Sequence, residues 1–268
     1  RPYCAGQVVT MGTSYRAWTQ SALATRDPDG LAAMFVNQGA ADAWDATLRQ
    51  GGAFELRWLC WAFTLGAPFS HRARERPELA RRLAETDVRD LLAEGPVGPG
   101  DSPLRHFPNY EEYLFDFART PGDDPFWDDP SLGFARHLEE TADVPTVYAG
   151  SWYDSYAKAT CDSFEAFADE SDADQFLLMG AWTHGGQSTW TRTFSGEVDY
   201  GEAATRDYLE TKLAFFDRYL KGADTWNRAP VEYVSLGGGG GQTPAGRLAY
   251  GGTWEEAEAW PLPDTSFT

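Results

Sequence analysis

Residues 7–36 read QVVTMGTSYRAWTQSALATRDPDGLAAMFV. The first five, Gln7–Met11, form a short apolar run of the length and composition of a buried strand. Gly12 follows, and a helical stretch runs from Ser14 to about Arg26. Asp27–Gly30 (DPDG) is a turn, and Leu31–Val36 (LAAMFV) is a second apolar strand. A strand–turn–helix–strand unit of this size is the building block of a parallel sheet.

Working outward, the texture changes from about Asp42 to Arg119. Helical stretches dominate there, including Phe54–Leu65 and Leu79–Leu92, with an irregular break at Gly95–Pro103. This block reads as a helical insertion. Sheet character resumes at Val144–Ala149, followed by a helix from Ser155 to about Ala168 and a strand at Gln175–Met179. A long helix is expected over Ala204–Lys221. Its Leu209, Leu213, Phe216 and Leu220 make an apolar stripe, and Gly222 stops it. After Asn227 a strand at Val231–Leu236 leads into five glycines, Gly237–Gly241, read as a flexible loop. No Lys–Ser/Thr follows those glycines, which excludes a phosphate cradle. The last thirty residues are turn-rich and look like the opening of an all-β module.

Composition narrows the function classes. Of 268 residues, 22 are basic and 41 acidic, a net charge of −19. Nucleic acid as a partner is excluded in expectation, because phosphate binding needs a basic face. Lys appears only at Lys158, Lys212 and Lys221. The acidity fits either high-salt adaptation or an ordinary acidic enzyme from a GC-rich genome. Three cysteines, Cys4, Cys60 and Cys161, have no close spacing. They suggest buried apolar residues and neither a disulfide framework nor a metal site. No cofactor is expected. No apolar run is long enough to span a bilayer, no signal peptide is evident, and the cytoplasm is the expected location. Self-association into a homo-oligomer is left open.

Gly12-Thr13-Ser14-Tyr15 lies between a strand and a helix, where a nucleophile elbow belongs. Such a turn lifts the hydroxyl clear of the sheet and aims a helix N-terminus at developing negative charge. The alternative is Ser14 as a simple helix N-cap. After the nucleophile, chain order should run acid then His, each just past a strand. Gly150-Ser151-Trp152-Tyr153-Asp154 and Gly180-Ala181-Trp182-Thr183-His184 satisfy that order. Of the four histidines, His71 and His106 fall in the insertion and His137 on an expected helix, which leaves His184. The backbone N–H of Tyr15 is the expected oxyanion donor.

GTSYRAWTQ, YAGSWYDSY, GAWTHG, GEVDYG and FFDRYLKG together resemble the CocE/NonD group of serine hydrolases. That group includes esterases, acylases and X-Pro dipeptidyl-peptidases. The resemblance implies an α/β-hydrolase fold with a mostly parallel sheet, a helical cap insertion and the start of a C-terminal β jelly-roll module. It implies Ser14 as nucleophile, Asp154 as triad acid and His184 as base. The family elbow reads G-x-S-Y-x-G, so Arg16 falls at a tolerant position and Ala17 departs from the usual Gly. The implied division is 1–41 as core with the elbow, 42–125 as cap, 126–228 as core with the acid and His, and 229–268 as the jelly-roll opening. The family's second oxyanion donor, a Tyr hydroxyl, comes from a segment upstream of this chain. The chain is therefore expected to be a fragment, inactive on its own.

The expected reaction is cleavage of a carboxylic ester, or of an amide or peptide, through an acyl-enzyme. X-Pro dipeptide release and a non-catalytic binding module remain as alternatives. Trp152, Tyr153 and Trp182 flank the acid and the His and either line the substrate pocket or pack the core. Trp58, with Phe54 and Trp61, either faces substrate or forms a core stripe. Asp42 and Asp45 either bind a substrate ammonium group or are exposed acidic residues.

Overall fold

The computed structural model describes residues 5–39, 42–263 and 265. Cys4 and Asp264 lie outside the described residues. The chain divides into two compact units, Arg1–Thr47 with Asp128–Thr268, and Leu48–Trp127.

The first unit is built on a six-stranded sheet whose spatial order follows the chain. Its strands are β1 (Val8–Thr13), β2 (Leu31–Asn37), β3 (Thr146–Tyr153), β4 (Gln175–Thr183), β5 (Val231–Leu236) and β6 (Gly252–Ala257). The first five run parallel, and β6 returns antiparallel to β5. The longest helices of this unit among the described residues are α1 (Tyr15–Ala24), α2 (Ala157–Ala168) and α3 (Tyr208–Lys221).

The apolar runs are covered on both faces, as expected for parallel strands. Side chains alternate across the pleat. Met34, Val36, Tyr148, Leu177 and Met179 face one way, onto Ala17 and Ala24 of α1 and Cys161, Phe164 and Phe167 of α2. Ala33, Phe35, Val147, Ala149 and Leu178 face the other way, onto Phe215 and Phe216 of α3 and onto Trp190 and Trp226.

Two expectations need correction here. Helix α3 is capped by Asp207, whose carboxylate accepts from the amides of Leu209 and Glu210, and it ends at left-handed Gly222. Its buried face, however, is Tyr208, Thr211, Phe215 and Phe216, while Leu209 and Leu213 are exposed. Both faces of this helix carry a helical period, and the aromatic one packs against Phe35. Strand Val231–Leu236, read as leading into a separate β module, joins the central sheet beside β4. Its Val231 and Val234 are buried, and its buried Glu232 is paired with Arg206 and Arg228. The five glycines after it are tied back: Gly237 N–H donates to Gly251 O and Gly240 N–H to Ala249 O.

The second unit packs several short helices and the longer helix Pro108–Arg119 around Leu79, Leu83, Leu104, Leu114, Phe117 and Trp127, with a small hairpin of Arg49–Gln50 and Ala53–Phe54. The two long helices expected there are both interrupted. Helix Arg57–Trp61 passes into a wider π turn at Ala62–Gly66. Pro77–Ala84 ends before Asp87, which caps Val88–Ala93 by accepting from Arg89 N–H. Among the described residues, no helix is long and apolar enough to cross a membrane.

Candidate active site

Ser14 sits between β1 and α1 with φ 67° and ψ −131°. A left-handed φ on a non-glycine residue carries strain of about 1–3 kcal/mol and occurs where the surroundings impose it. The Ser14 side chain makes no capping hydrogen bond, so the N-cap alternative does not describe it. Its N–H donates to Asn37 O on β2, and its carbonyl accepts from Ala17 and Trp18. Gly12 makes the turn sterically feasible, because a Cβ there would lie 2.7 Å from Arg16 Cβ and 2.8 Å from Arg16 O. The methyl of Ala17, wholly buried, is accommodated by a second glycine: a Cβ on Gly39 would lie 2.8 Å from it. Tyr15 opens α1 with its ring exposed. Its N–H belongs to the first helical turn, whose amides have no partner within the helix.

Asp154 follows β3 and His184 follows β4, both at the C-terminal edge of the sheet, where open α/β sheets place their sites. His184 Nδ1 lies 2.9 Å from Asp154 Oδ2. The Asp154 side chain is 2% exposed and the imidazole 42%, so the carboxylate stands behind the ring. Asp154 Oδ1 accepts from Tyr156 N–H at 3.3 Å. The buried Tyr156 ring stacks on the imidazole, with centroids 5.4 Å apart and planes 25° apart. A carboxylate at Nδ1 fixes the proton there and leaves Nε2 as the acceptor.

Two carboxamides that the sequence reading passed over join these loops. Asn37 Nδ2 donates to Thr13 Oγ1 at 2.8 Å and to Gly185 O at 2.9 Å. One amide group thus spans the residue before Ser14 and the residue after His184. Gln38 contacts the same histidine loop and Ser151 of β3. The only signal in the sequence is a pair of carboxamides directly after an apolar strand, a pattern that also suits an ordinary turn.

The remaining candidates scatter. Trp182 is wholly buried and stacks on Trp190 at 4.1 Å, so it packs the core and lines no open pocket. Trp152 is half-buried; its indole N–H donates to Val234 O, and its ring lies beside Trp260. Tyr153 is 37% exposed. Trp58 is buried in the second unit, edge-on to Trp61, with the Arg57 guanidinium over its ring. Asp45 is held by Lys158, and Asp42 by Arg136. His137 Nε2 meets Asp128 O at 2.7 Å, away from the Asp154 pair.

Residues 1–186 match the family model of X-Pro dipeptidyl-peptidase (S15 family). The chain belongs to that S15 family. It is 30% identical to the cocaine esterase of Rhodococcus sp. (strain MB1 Bresler) over 99% of this chain and 44% of the esterase. This S15 chain thus spans less than half the length of that relative. Among solved structures it is similar to an α-amino acid ester hydrolase, with a TM-score of 0.63, 20% identity, and 95% and 39% of the two chains covered. It is also similar to a CocE/NonD family hydrolase from Staphylococcus aureus, with a TM-score of 0.58, 19% identity, and 100% and 37% covered. The fold of this S15 member is that of the α/β-hydrolases.

Proposed function

We propose that Ser14, His184 and Asp154 act as a catalytic triad in a serine hydrolase of the esterase/acylase type. The observation that carries this reading is the backbone of Ser14. The β1–α1 junction holds a serine in a strained conformation, and its side chain makes no capping hydrogen bond that would explain it. Such strain collects where a side chain must be presented.

In the proposed reaction Ser14 Oγ attacks the acyl carbonyl, and its proton passes to His184 Nε2. Asp154 keeps the other ring nitrogen protonated and stabilises the imidazolium. The Tyr15 N–H, at the positive end of α1, stabilises the oxyanion. Collapse of the tetrahedral intermediate gives the proton on Nε2 to the leaving alcohol or amine. Water, activated by the same nitrogen, then releases the acid.

The test is fluorophosphonate labelling with the modified peptide located by mass spectrometry, alongside turnover of p-nitrophenyl esters by the intact protein. Label is expected on Ser14. S14A should abolish it and lower kcat by about 10⁴-fold or more. Labelling that persists in S14A overturns the assignment. A panel of X-Pro anilides with free and acetylated amines separates the peptidase branch from the esterase branch. Hydrolysis that requires the free amine places the protein with the peptidases.

A further inference from the structure

Gln38 has the features of a residue that is held in place in order to hold something else. It is wholly buried. Its φ is 53°, in the left-handed region that a glutamine rarely adopts. Every polar atom of its carboxamide is used. Oε1 accepts from Gly185 N–H at 2.7 Å. Nε2 donates to Thr183 O at 3.2 Å and to Ser151 Oγ at 3.1 Å. The orientation of the amide is dictated by its partners, since Gly185 N can only donate and Thr183 O can only accept. The two backbone contacts fall immediately before and immediately after His184. The third reaches β3, whose Ser151 O accepts from Asp154 N–H.

We propose that Gln38 is a positioning residue for His184: its carboxamide grips the peptide groups on both sides of the histidine and keeps the imidazole in register with Asp154 and Ser14. The inference rests on the triad reading above. His184 needs such support because its ring is 42% exposed. Its position is therefore set by its backbone, by Asp154 and by Tyr156, with little packing from the outer side. Displacement of a reacting group by about 1 Å costs on the order of a hundredfold in rate.

The experiment compares wild type, Q38M, Q38E and S14A in the intact protein. It follows p-nitrophenyl ester kinetics, thermal melting and amide hydrogen exchange at Gly185. Q38M keeps the side chain's length and removes every hydrogen bond. It is expected to lower kcat at least tenfold with KM within about twofold, and to speed Gly185 exchange in a protein that still melts cooperatively. Q38E keeps an acceptor for Gly185 N–H and loses the donors to Thr183 and Ser151. Its second oxygen then faces Thr183 O in a wholly buried site, a repulsion that should leave kcat no higher than in Q38M with KM again within about twofold, a split that loss of substrate binding would not produce. Wild-type kcat in Q38M, while S14A is inactive, overturns the inference and leaves the triad reading intact. If S14A remains active, the triad reading falls. Gly185 exchange then decides alone whether Gln38 holds the loop, and unchanged protection in Q38M overturns that.

Discussion

Ala17 and Gly39 set the packing under the nucleophile. Ala17 is wholly buried, and the space its methyl needs is supplied by the missing side chain at residue 39. Gly39→Ala should therefore destabilise by about 1–3 kcal/mol through overpacking. Ala17→Gly costs about 1 kcal/mol for glycine inside a helix. The double variant moves one methyl across the contact, so its loss should fall short of the sum by about 1 kcal/mol or more. Denaturant melts of the four proteins measure this, and strict additivity would refute the contact. Cys161 gives a second test. Burial penalises its thiolate and pushes the thiol up to about 12. At pH 8 roughly one molecule in ten thousand carries the reactive form. Iodoacetamide should leave Cys161 unmodified in the native protein at that pH, with labelling appearing on unfolding; mass spectrometry checks this. At this scale the sequence singled out Ser14, Asp154 and His184 as candidates, because each lies just past an apolar strand, and the structure brings Asp154 and His184 within hydrogen-bond distance. Gln38 stayed hidden: the convergence of Thr183, Gly185 and Ser151 on one amide exists only after three strands are aligned.

Strand β2 organises both cores, and Phe35 is its densest point. The ring is wholly buried and meets Trp190, Tyr208, Phe215 and Phe216 at centroid distances of 6.1–6.5 Å. Phe35→Ala should lower stability by about 3–5 kcal/mol. Met11→Ala on β1, where the side chain is 59% exposed, should stay within about 0.5 kcal/mol. Equal effects of the two would contradict the assignment of β2 to the doubly covered centre. The parallel order was readable because LAAMFV has the unbroken apolar character of a strand with two covered faces. Helix α3 begins at Tyr208, four residues after the expected Ala204, and of its expected stripe only Phe216 is buried. Leucines lie along one side and aromatics along another, and periodicity alone does not rank them. The larger buried area of the aromatic rings decides, since hydrophobic gain scales with area removed from water. Strand β5 was detected but misplaced. Its buried Glu232 breaks the apolar run expected of an interior strand, and the compensating Arg206 lies 26 residues away in sequence.

Charge is a property of the whole chain. With 22 basic and 41 acidic residues, a net −19 repels itself in the compact state more than in the expanded one. Local attractions oppose this: Glu232 sits between Arg206 and Arg228 at 2.8 and 3.0 Å, and Lys158 joins Asp45 and Asp162 at 2.9 and 2.6 Å. The two effects differ in range. Contacts of 3 Å lie inside the screening length even at 0.1 M salt, about 10 Å, and partly buried pairs are screened less still. Repulsion spread over the surface acts over longer distances and is screened first. The melting temperature should therefore rise as NaCl goes from 10 mM, where the screening length is about 30 Å, towards 0.2 M. The course above that separates the two origins of the acidity. A plateau identifies simple screening in an ordinary acidic enzyme. A continued rise beyond 1 M, where screening is already complete within about 3 Å, identifies a surface adapted to concentrated salt. A melting temperature that falls from the first addition would mean that the ion pairs around Glu232 and Lys158 outweigh the net charge, and the repulsion argument would be wrong.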